Sequence, residues 1–208
     1  MGRGKNKSSD RWLKEHESDP HVKQAAADGY RSRAVYKLME LDKKDQLINR
    51  GATVLELGAA PGGWTQYIAE KVGDHGVVVA SDILWMDSVA NVTFVHGDFT
   101  DNEVAEKIEI AVGKAGADLV LSDMAPNISG VASSDQARAM GLTELALEMA
   151  STVLNKNGVF AAKLFQGEGF DAYIKDVRSC FKSVKLRKPA ASRPRSREVY
   201  VVARNLIS

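Results

Sequence analysis

The sequence is poor in cysteine. Cys180 is the only one among 208 residues, so no disulfide can form within the chain, and a reducing compartment is the simple interpretation. No apolar run approaches the roughly 18 residues that a membrane span requires. The polar N-terminus contains acidic residues and does not resemble a secretion signal or a transit peptide. We therefore expect a cytoplasmic protein that does not associate with membranes.

The sequence also lacks the clustered ligands of a metal site. Its four histidines are scattered along the chain, at His16, His21, His75 and His96. Protein zinc sites, by contrast, typically draw on histidines and cysteines that are a few residues apart. The sequence therefore predicts chemistry that needs no metal.

The net charge of +1 conceals an uneven distribution. Residues 1–50 carry a net charge of +4, residues 51–174 carry −11 and residues 175–208 carry +8. Five C-terminal cations lie beside apolar, strand-like segments, which favours a folded basic surface over solvated tails: Arg187, Lys188, Arg193, Arg195 and Arg197. An acidic body between basic ends is typical of a protein whose two ends face a polyanion.

Apolar strands that alternate with amphipathic helices predict an α/β fold with a largely parallel sheet. Strands are expected at residues 53–58, 76–81, 92–95, 118–122, 159–165, 183–186 and 198–203. Helices are expected at residues 10–46, with a break near Asp28, and at residues 63–72, 134–154 and 168–181. Thr100-Asp-Asn-Glu103 has the pattern of a capping box that opens another helix. We expect residues 1–9 to form a disordered basic tail and residues 10–208 to form a single domain with an N-terminal helical extension.

Three successive strand ends carry residues that suit a nucleoside, and ligands of such sheets bind beyond the carboxyl ends of the strands. A Gly/Pro turn at residues 58–63 lets the backbone approach a ligand closely. Asp82 stands where a carboxylate can accept hydrogen bonds from ribose hydroxyls, and Asp98 with Phe99 suits an adenine amine and ring face. Ala60 occupies the middle glycine position of the dinucleotide pattern, which disfavours a nicotinamide-dependent oxidoreductase.

Two further segments place charged residues in or beside apolar strands. Lys163 lies inside the fifth strand, and lysines are rarely buried without a partner. We interpret it as a desolvated amine held near Asp123, which follows the fourth strand; a lysine that reaches water from an edge strand is the alternative. Glu198 opens the last strand, where it would also suit an ion pair with a neighbouring arginine.

The motifs resemble those of the FtsJ/RrmJ family of ribosomal RNA uridine 2′-O-methyltransferases over nearly the whole chain. The matching segments are RSRAVYKL (31–38), LELGAAPGGW (55–64), GDF (97–99), SDMAPN (122–127), KLFQGEG (163–169) and SREVYVVA (196–203). The resemblance implies a Rossmann-like methyltransferase fold with a seven-stranded, mostly parallel sheet, an antiparallel last strand and helices on both faces. It also implies S-adenosylmethionine as methyl donor and, as partner, ribosomal RNA within the large ribosomal subunit. Nothing in the sequence points to an obligate protein partner, so we expect a monomer.

The resemblance also implies site residues. The catalytic set corresponds to Lys37, Asp123, Lys163 and Glu198, and the donor site to Gly62, Trp64, Asp82, Asp98 and Asp123. Lys37 rests on the resemblance alone, because by itself it would pass for a surface residue of an amphipathic helix. A neutral Lys163 would take the proton of the 2′-hydroxyl as a general base, whereas a charged Lys163 would orient the hydroxyl and stabilise the developing alkoxide. The sequence leaves that choice open.

Other functions also remain open. The same reaction on transfer RNA or on a messenger cap would use the same motifs. A ribosome assembly factor that binds RNA without catalysis is a second possibility, although all four catalytic positions are filled. A titration that compares S-adenosylmethionine with a nicotinamide dinucleotide would test the third, an oxidoreductase.

Overall fold

Seven strands form one sheet in the computed structural model, which describes residues 19–127, 129–193 and 195–207. The strands are β1 (Thr53–Leu57), β2 (Val77–Asp82), β3 (Val92–His96), β4 (Ala117–Ser122), β5 (Leu154–Phe165), β6 (Phe181–Arg187) and β7 (Glu198–Leu206). Their order is β3-β2-β1-β4-β5-β7-β6. The neighbours from β3 to β5 pair in parallel, and β7 runs antiparallel to both β5 and β6. The predicted sheet, mostly parallel with an antiparallel last strand, is confirmed.

Six helices accompany the sheet in the described ranges: α1 (Pro20–Ala27), α2 (Val35–Asp45), α3 (Gly63–Val72), α4 (Asn102–Val112), α5 (Ala132–Val153) and α6 (Phe170–Cys180). None of them is both long and apolar enough to cross a bilayer. The predicted tail at residues 1–9 and the predicted helical residues 10–18 lie outside the described ranges.

Two apolar cores, one on each face of the sheet, explain why the central strands are apolar throughout. Side chains of a strand alternate between the faces, so Val54 of β1 packs with α2 and α3, whereas Leu55 and Leu57 pack with α4, α5 and α6. A parallel sheet covered on both faces in this way needs near-continuous apolar strands. The helices therefore lie on both faces, as predicted.

The predicted capping box is wrong. Asp101 rather than Thr100 precedes α4, and no side chain caps that helix. Thr100 instead donates its hydroxyl and its N–H to Oδ1 of Asp98, at 2.8 and 3.0 Å. A short turn closed by an aspartate competes with helix capping for the same threonine, and here the turn prevails.

The boundaries of β5 and β7 also differ from the prediction. β5 begins at Leu154 rather than at residue 159, because Leu154 pairs with Ala117 before an irregularity in register that ends at the Leu119–Val159 pair. β7 continues to Leu206 rather than ending at residue 203, since it is hydrogen-bonded to β6 along that stretch. Neither extension reaches the carboxyl edge of the parallel strands, where the helices that follow β1 and β4 lie on opposite faces and where ligands of such sheets bind.

Candidate functional site

The glycine loop, residues 58–62 between β1 and α3, brings backbone close to the end of β4. Gly58 and Gly62 have positive φ, at 79° and 102°, a conformation that glycine adopts without steric cost. A Cβ on Gly58 would lie 2.6 Å from Cγ of Met124, so only glycine permits this approach. Gly62 is the N-cap of α3, and no side chain caps that helix. The first N–H groups of α3 are therefore available to an anionic group beyond the helix end.

Trp64 lies in the first turn of α3, but its indole ring belongs to the core. The side chain is 3% exposed. Its Nε1–H donates to the carbonyl oxygen of Ala34 at 2.7 Å, and the ring centroid lies 6.0 Å from that of Tyr200. Of the groups on Trp64, the backbone N–H is thus the one placed to meet a bound molecule.

Asp82, at the end of β2, holds the glycine loop to the segment after β2. Oδ2 accepts the N–H of Ala60 and Oδ1 accepts the N–H of Leu84, both at 2.8 Å. A carboxylate oxygen accepts two hydrogen bonds, so each oxygen retains a position for a hydroxyl. The predicted carboxylate is therefore at the sheet edge and is fixed in orientation.

Asp98, beyond the end of β3, is exposed and keeps one oxygen open. The N–H and the hydroxyl of Thr100 both donate to Oδ1 of Asp98, and no described residue donates to Oδ2. Phe99 beside it packs against the core on the α4 side of the sheet. An acceptor next to an aromatic ring is an arrangement that can bind an amine on a planar heterocycle.

Lys163 of β5 is paired with Asp123, which follows β4. Its Nζ lies 3.1 Å from Oδ1 of Asp123 and also donates to the carbonyl oxygen of that residue. The hydroxyl of Tyr200 donates to the same Oδ1 at 2.6 Å. β5 lies between β4 and β7, and the lysine side chain is 7% exposed. The alternative of an edge-strand lysine reaching water is therefore excluded.

The electrostatics of this group keep Asp123 ionised. Burial by itself raises the pKa of the carboxyl group, but the charges of Lys163 and Lys37 and the hydrogen bond from Tyr200 outweigh it, so the pKa of Asp123 is lowered. Burial, followed by the nearby charges of Asp123 and Glu198, raises the pKa of Tyr200 well above its ordinary value. Tyr200 therefore remains a neutral donor.

Lys37 and Glu198 form a second ion pair between α2 and β7. Nζ of Lys37 lies 2.7 Å from Oε1 of Glu198, and both side chains are largely buried. Because the charge of Lys37 acts on the pKa of Asp123, the two ion pairs lie within interaction range. The four residues predicted as a catalytic set thus come together at one end of the sheet.

Sequence reasoning gave no role to Tyr200 or Ser192. Tyr200 stands two residues after Glu198 on β7, so both side chains lie on one face, and it pairs in register with Lys163; this period-two signal could have found it. Ser192 donates its hydroxyl to Oε1 of Glu198 at 2.8 Å. No local pattern marks Ser192, because the contact depends on how the loop between β6 and β7 folds.

A third residue without a predicted role, Glu56, lies buried in β1 and is 1% exposed. Its Oε2 accepts the hydroxyl of Thr65 at 2.6 Å. Burial raises its pKa to about 8 against that hydrogen bond, and the negative charges of Asp123 and Asp82 add to the rise. Glu56 is therefore mostly protonated near neutral pH. A charged residue type inside an apolar strand is the same signal that singled out Lys163.

The loop between β6 and β7 carries the predicted basic surface. Arg195 and Arg197 are exposed and Arg193 is partly exposed. Nε of Arg193 lies 3.8 Å from Oδ2 of Asp19, the N-cap residue of α1. These three arginines lie in the loop that leads to Glu198, so a polyanion bound there would lie beside the ion pairs.

Arg187 has a structural contact that the charge pattern did not predict. It donates through Nε and Nη2 to the two carboxylate oxygens of Asp45, both at 2.7 Å, and this fork lowers the pKa of Asp45. Lys188 donates to the carbonyl oxygen of Ser196 at 2.6 Å. Part of the positive charge in this region therefore stabilises the fold.

Comparison with known sequences gives consistent relatives. A family model described as FtsJ-like methyltransferase matches residues 30–206. A protein of Cellvibrio japonicus is 57% identical over 203 residues, which cover 98% of this chain and 96% of that protein. One of Chromohalobacter salexigens is 60% identical over 198 residues, 95% of this chain and 94% of that protein. Both relatives are named ribosomal RNA large subunit methyltransferase E.

Solved structures show similar folds. A crystal structure described as a ribosomal RNA methyltransferase of Plasmodium falciparum superposes with a TM-score of 0.77 at 28% identity, covering 86% of this chain and 100% of that one. A chain of a fibrillarin/Nop5p complex superposes with a TM-score of 0.58 at 21% identity, covering 82% of each chain. The second likeness concerns the fold alone.

Proposed function

Because this chain belongs to the FtsJ-like methyltransferase family, we propose that it transfers a methyl group from S-adenosylmethionine to the ribose 2′-hydroxyl of a uridine in large-subunit ribosomal RNA. The names of its relatives support ribosomal RNA of the large subunit as the substrate. The observation that carries the reaction type is the buried amine of Lys163, paired with Asp123 at the carboxyl edge of the sheet.

The donor fits the open hydrogen-bonding groups along β1, β2 and β3. S-adenosylmethionine supplies an electrophilic methyl group on a sulfonium centre. Asp82 has free acceptor positions for ribose hydroxyls, and Asp98 has a free oxygen for an adenine amine. The uncapped N–H groups after Gly62, including that of Trp64, suit a carboxylate. The family resemblance assigns the same positions, together with Asp123, to the donor.

Lys163 is the residue that we assign to the reacting hydroxyl. A 2′-hydroxyl is a poor nucleophile near neutral pH, so its proton must leave as it attacks. As an ammonium group paired with Asp123, Lys163 would orient the hydroxyl and stabilise negative charge developing on its oxygen, and the hydroxyl proton would pass to solvent water. If Lys163 reacts uncharged, it would take the proton itself. Turnover that is insensitive to pH around neutrality favours the first role, and turnover that rises as one group loses its proton favours the second.

Asp123, Lys37 and Glu198 would position these reacting groups. Asp123 holds Lys163 through both a carboxylate oxygen and its backbone carbonyl. Lys37 and Glu198 form the ion pair beside it and would contact the ribose and its neighbours. Methyl transfer needs donor and acceptor close and collinear, so alignment of this kind supplies much of the rate.

The test uses ribosomal particles and transfer RNA from cells that lack this gene. With labelled S-adenosylmethionine we expect label in ribose of large-subunit RNA, and nucleotide mapping would identify a uridine. Label in transfer RNA alone would support the alternative that transfer RNA is the substrate. Binding of ribosomal RNA without any transfer of label would support an assembly factor and contradict the proposal.

A further inference from the structure

Glu198 is held asymmetrically, with both of its side-chain donors on one oxygen. Nζ of Lys37 lies 2.7 Å from Oε1, and the hydroxyl of Ser192 donates to the same atom at 2.8 Å. No described residue donates to Oε2. Glu198 is 8% exposed and Ser192 is 4% exposed, so water has little access with which to replace these contacts. The carboxylate therefore has one engaged oxygen and one that is open.

The turn that carries Ser192 is itself held by α2. The N–H of Ser192 donates to the carbonyl oxygen of Pro189 at 3.0 Å. The carboxylate of Glu40 accepts the N–H groups of Ala190 and Ala191 at 2.6 and 2.8 Å. The carboxylate of Glu40 therefore attaches the turn to α2 through two backbone N–H groups.

A single face of α2 makes both connections. Lys37 and Glu40 stand three positions apart and so lie on the same side of the helix. Lys37 contacts Glu198 directly, and Glu40 contacts the turn that presents Ser192. Just before α2, Arg33 donates to the carbonyl oxygen of Ala191. Helix α2 therefore fixes the position of the Glu198 carboxylate relative to Ser192, its second donor.

The two donors restrain Glu198 differently. Lysine carries a point charge on a flexible four-carbon stem, so it attracts the carboxylate without determining its rotation. A serine hydroxyl on a short side chain has a much smaller range of positions, and its hydrogen bond is directional. The Ser192 contact is therefore the one that decides which oxygen of Glu198 stays open.

We propose that Ser192 is a positioning residue that orients Glu198 so that Oε2 faces the acceptor ribose, and that Glu40 positions Ser192. The inference rests on the proposed methyltransferase function. Ser192 touches neither donor nor acceptor in this arrangement and acts through Glu198.

The test is Ser192→Ala, which keeps the backbone N–H that closes the turn and removes only the hydroxyl. We expect kcat for methyl transfer to fall about tenfold, the order expected for a hydrogen bond to a charged group. The KM for S-adenosylmethionine and the affinity for RNA should be unchanged. Ser179→Ala is the matched control, since this exposed serine of α6 donates its hydroxyl to the carbonyl oxygen of Asp176 within its own helix. Its turnover should equal that of the wild type.

A double-mutant cycle separates positioning from a general loss of structure. In a Glu198→Ala background, Ser192→Ala should cause no further loss, because the group through which it acts is gone. Glu40→Gln should also lower kcat, as Ser192→Ala does, because it weakens the acceptor for two N–H groups of the turn.

Losses that multiply in the double variant would overturn the proposal, as would wild-type turnover in Ser192→Ala. A wild-type enzyme that transfers no methyl group would instead refute the proposed function, so the two failures are distinguishable. Thermal unfolding of each variant identifies any loss of turnover that comes from unfolding.

Discussion

The two halves of the proposed site are built in different ways. The donor half comprises the glycine loop, Asp82 and Asp98, and its internal contacts are hydrogen bonds between carboxylates and nearby backbone N–H groups. The acceptor half comprises Lys163, Asp123, Tyr200, Lys37 and Glu198, and it consists of buried charges paired across the fold. The donor half therefore presents open acceptors to a ligand, whereas the acceptor half satisfies its charges internally.

This difference has a physical consequence. Replacing Asp82 or Asp98, whose carboxylates accept backbone N–H groups, removes one contact to the bound donor. Other contacts still restrain the surrounding loop. A buried ion pair that loses one partner leaves an uncompensated charge, which is strongly unfavourable. Substitutions in the donor half should therefore change affinity for the donor, and substitutions in the acceptor half should change turnover.

The largest effect is expected from Lys163→Ala. Turnover should fall by about three orders of magnitude, within the range attributed to acid–base and electrostatic groups, while the Kd for S-adenosylmethionine stays near the wild-type value. Single-turnover methyl transfer and calorimetric titration of the donor measure the two quantities. Lys175→Ala, on the exposed side of α6, is the control. Normal turnover in Lys163→Ala would contradict the expectation that substitutions in the acceptor half change turnover.

RNA binding should depend on the basic loop beside the acceptor half. Replacement of Arg193, Arg195 and Arg197 by alanine should lower the slope of log affinity against log salt by about 2 to 3, if each arginine neutralises one phosphate. Filter binding over a salt series measures the slope. A variant that loses three exposed lysines outside this loop, Lys107, Lys114 and Lys156, removes the same charge and should keep the wild-type slope. Equal slopes for the two triple variants would contradict a role of the loop in RNA binding.

Asp98→Ala tests the donor half alone. Loss of its open oxygen should weaken S-adenosylmethionine binding about tenfold, as for one hydrogen bond to a charged group, with kcat at saturating donor unchanged. Asp101→Ala is the neighbouring control, because the side chain of Asp101 does not cap α4. A fall in kcat without a change in donor affinity would show that the halves are not separable.

The last prediction concerns stability rather than function and rests on Glu56, whose pKa responds to a carboxylate of each half. The unfolded chain releases this proton near the ordinary value of 4.5, whereas the folded protein retains it up to about 8. The free energy of unfolding should therefore fall as pH rises between these values, by at most about 1.4 kcal/mol per pH unit. Urea unfolding of wild type and Glu56→Gln at pH 5, 6.5 and 8 measures the difference.

A difference between wild type and Glu56→Gln that is constant across this range would refute the assignment. Ser179→Ala, which removes an exposed hydroxyl and no titratable group, is the control and should show a constant difference.

Much of the donor half was predictable because its residues directly follow apolar strands. Parallel strands bring their carboxyl ends to one edge of the sheet, so the positions of Asp82 and Asp98 at that edge follow from the strand pattern alone. The capping box failed at the same edge, because the side chain of Asp98 competes for Thr100. Trp64 was assigned to the donor, but its indole hydrogen-bonds to Ala34, a contact that depends on the packing of α2 against α3.

The acceptor half was predictable only in part. Lys163 stood out as a charge in an apolar strand, whereas Lys37 came from family resemblance alone. Asp123 is 40 positions from Lys163 and 77 from Tyr200 along the chain. No local preference determines which of many acids and bases become partners over such separations.

Local sequence was enough to specify the order of strands and helices and the polar residues at the strand ends, since hydrophobic periodicity and turn chemistry act over a few neighbouring residues. The Lys163–Asp123 pair came from the placement of β5 beside β4. The Lys37–Glu198 pair, and the oxygen of Glu198 that is left open, came from the docking of α2 against β7 and its preceding loop. Burial makes an unpaired charge costly, so those pairings form only where the completed fold brings opposite charges together.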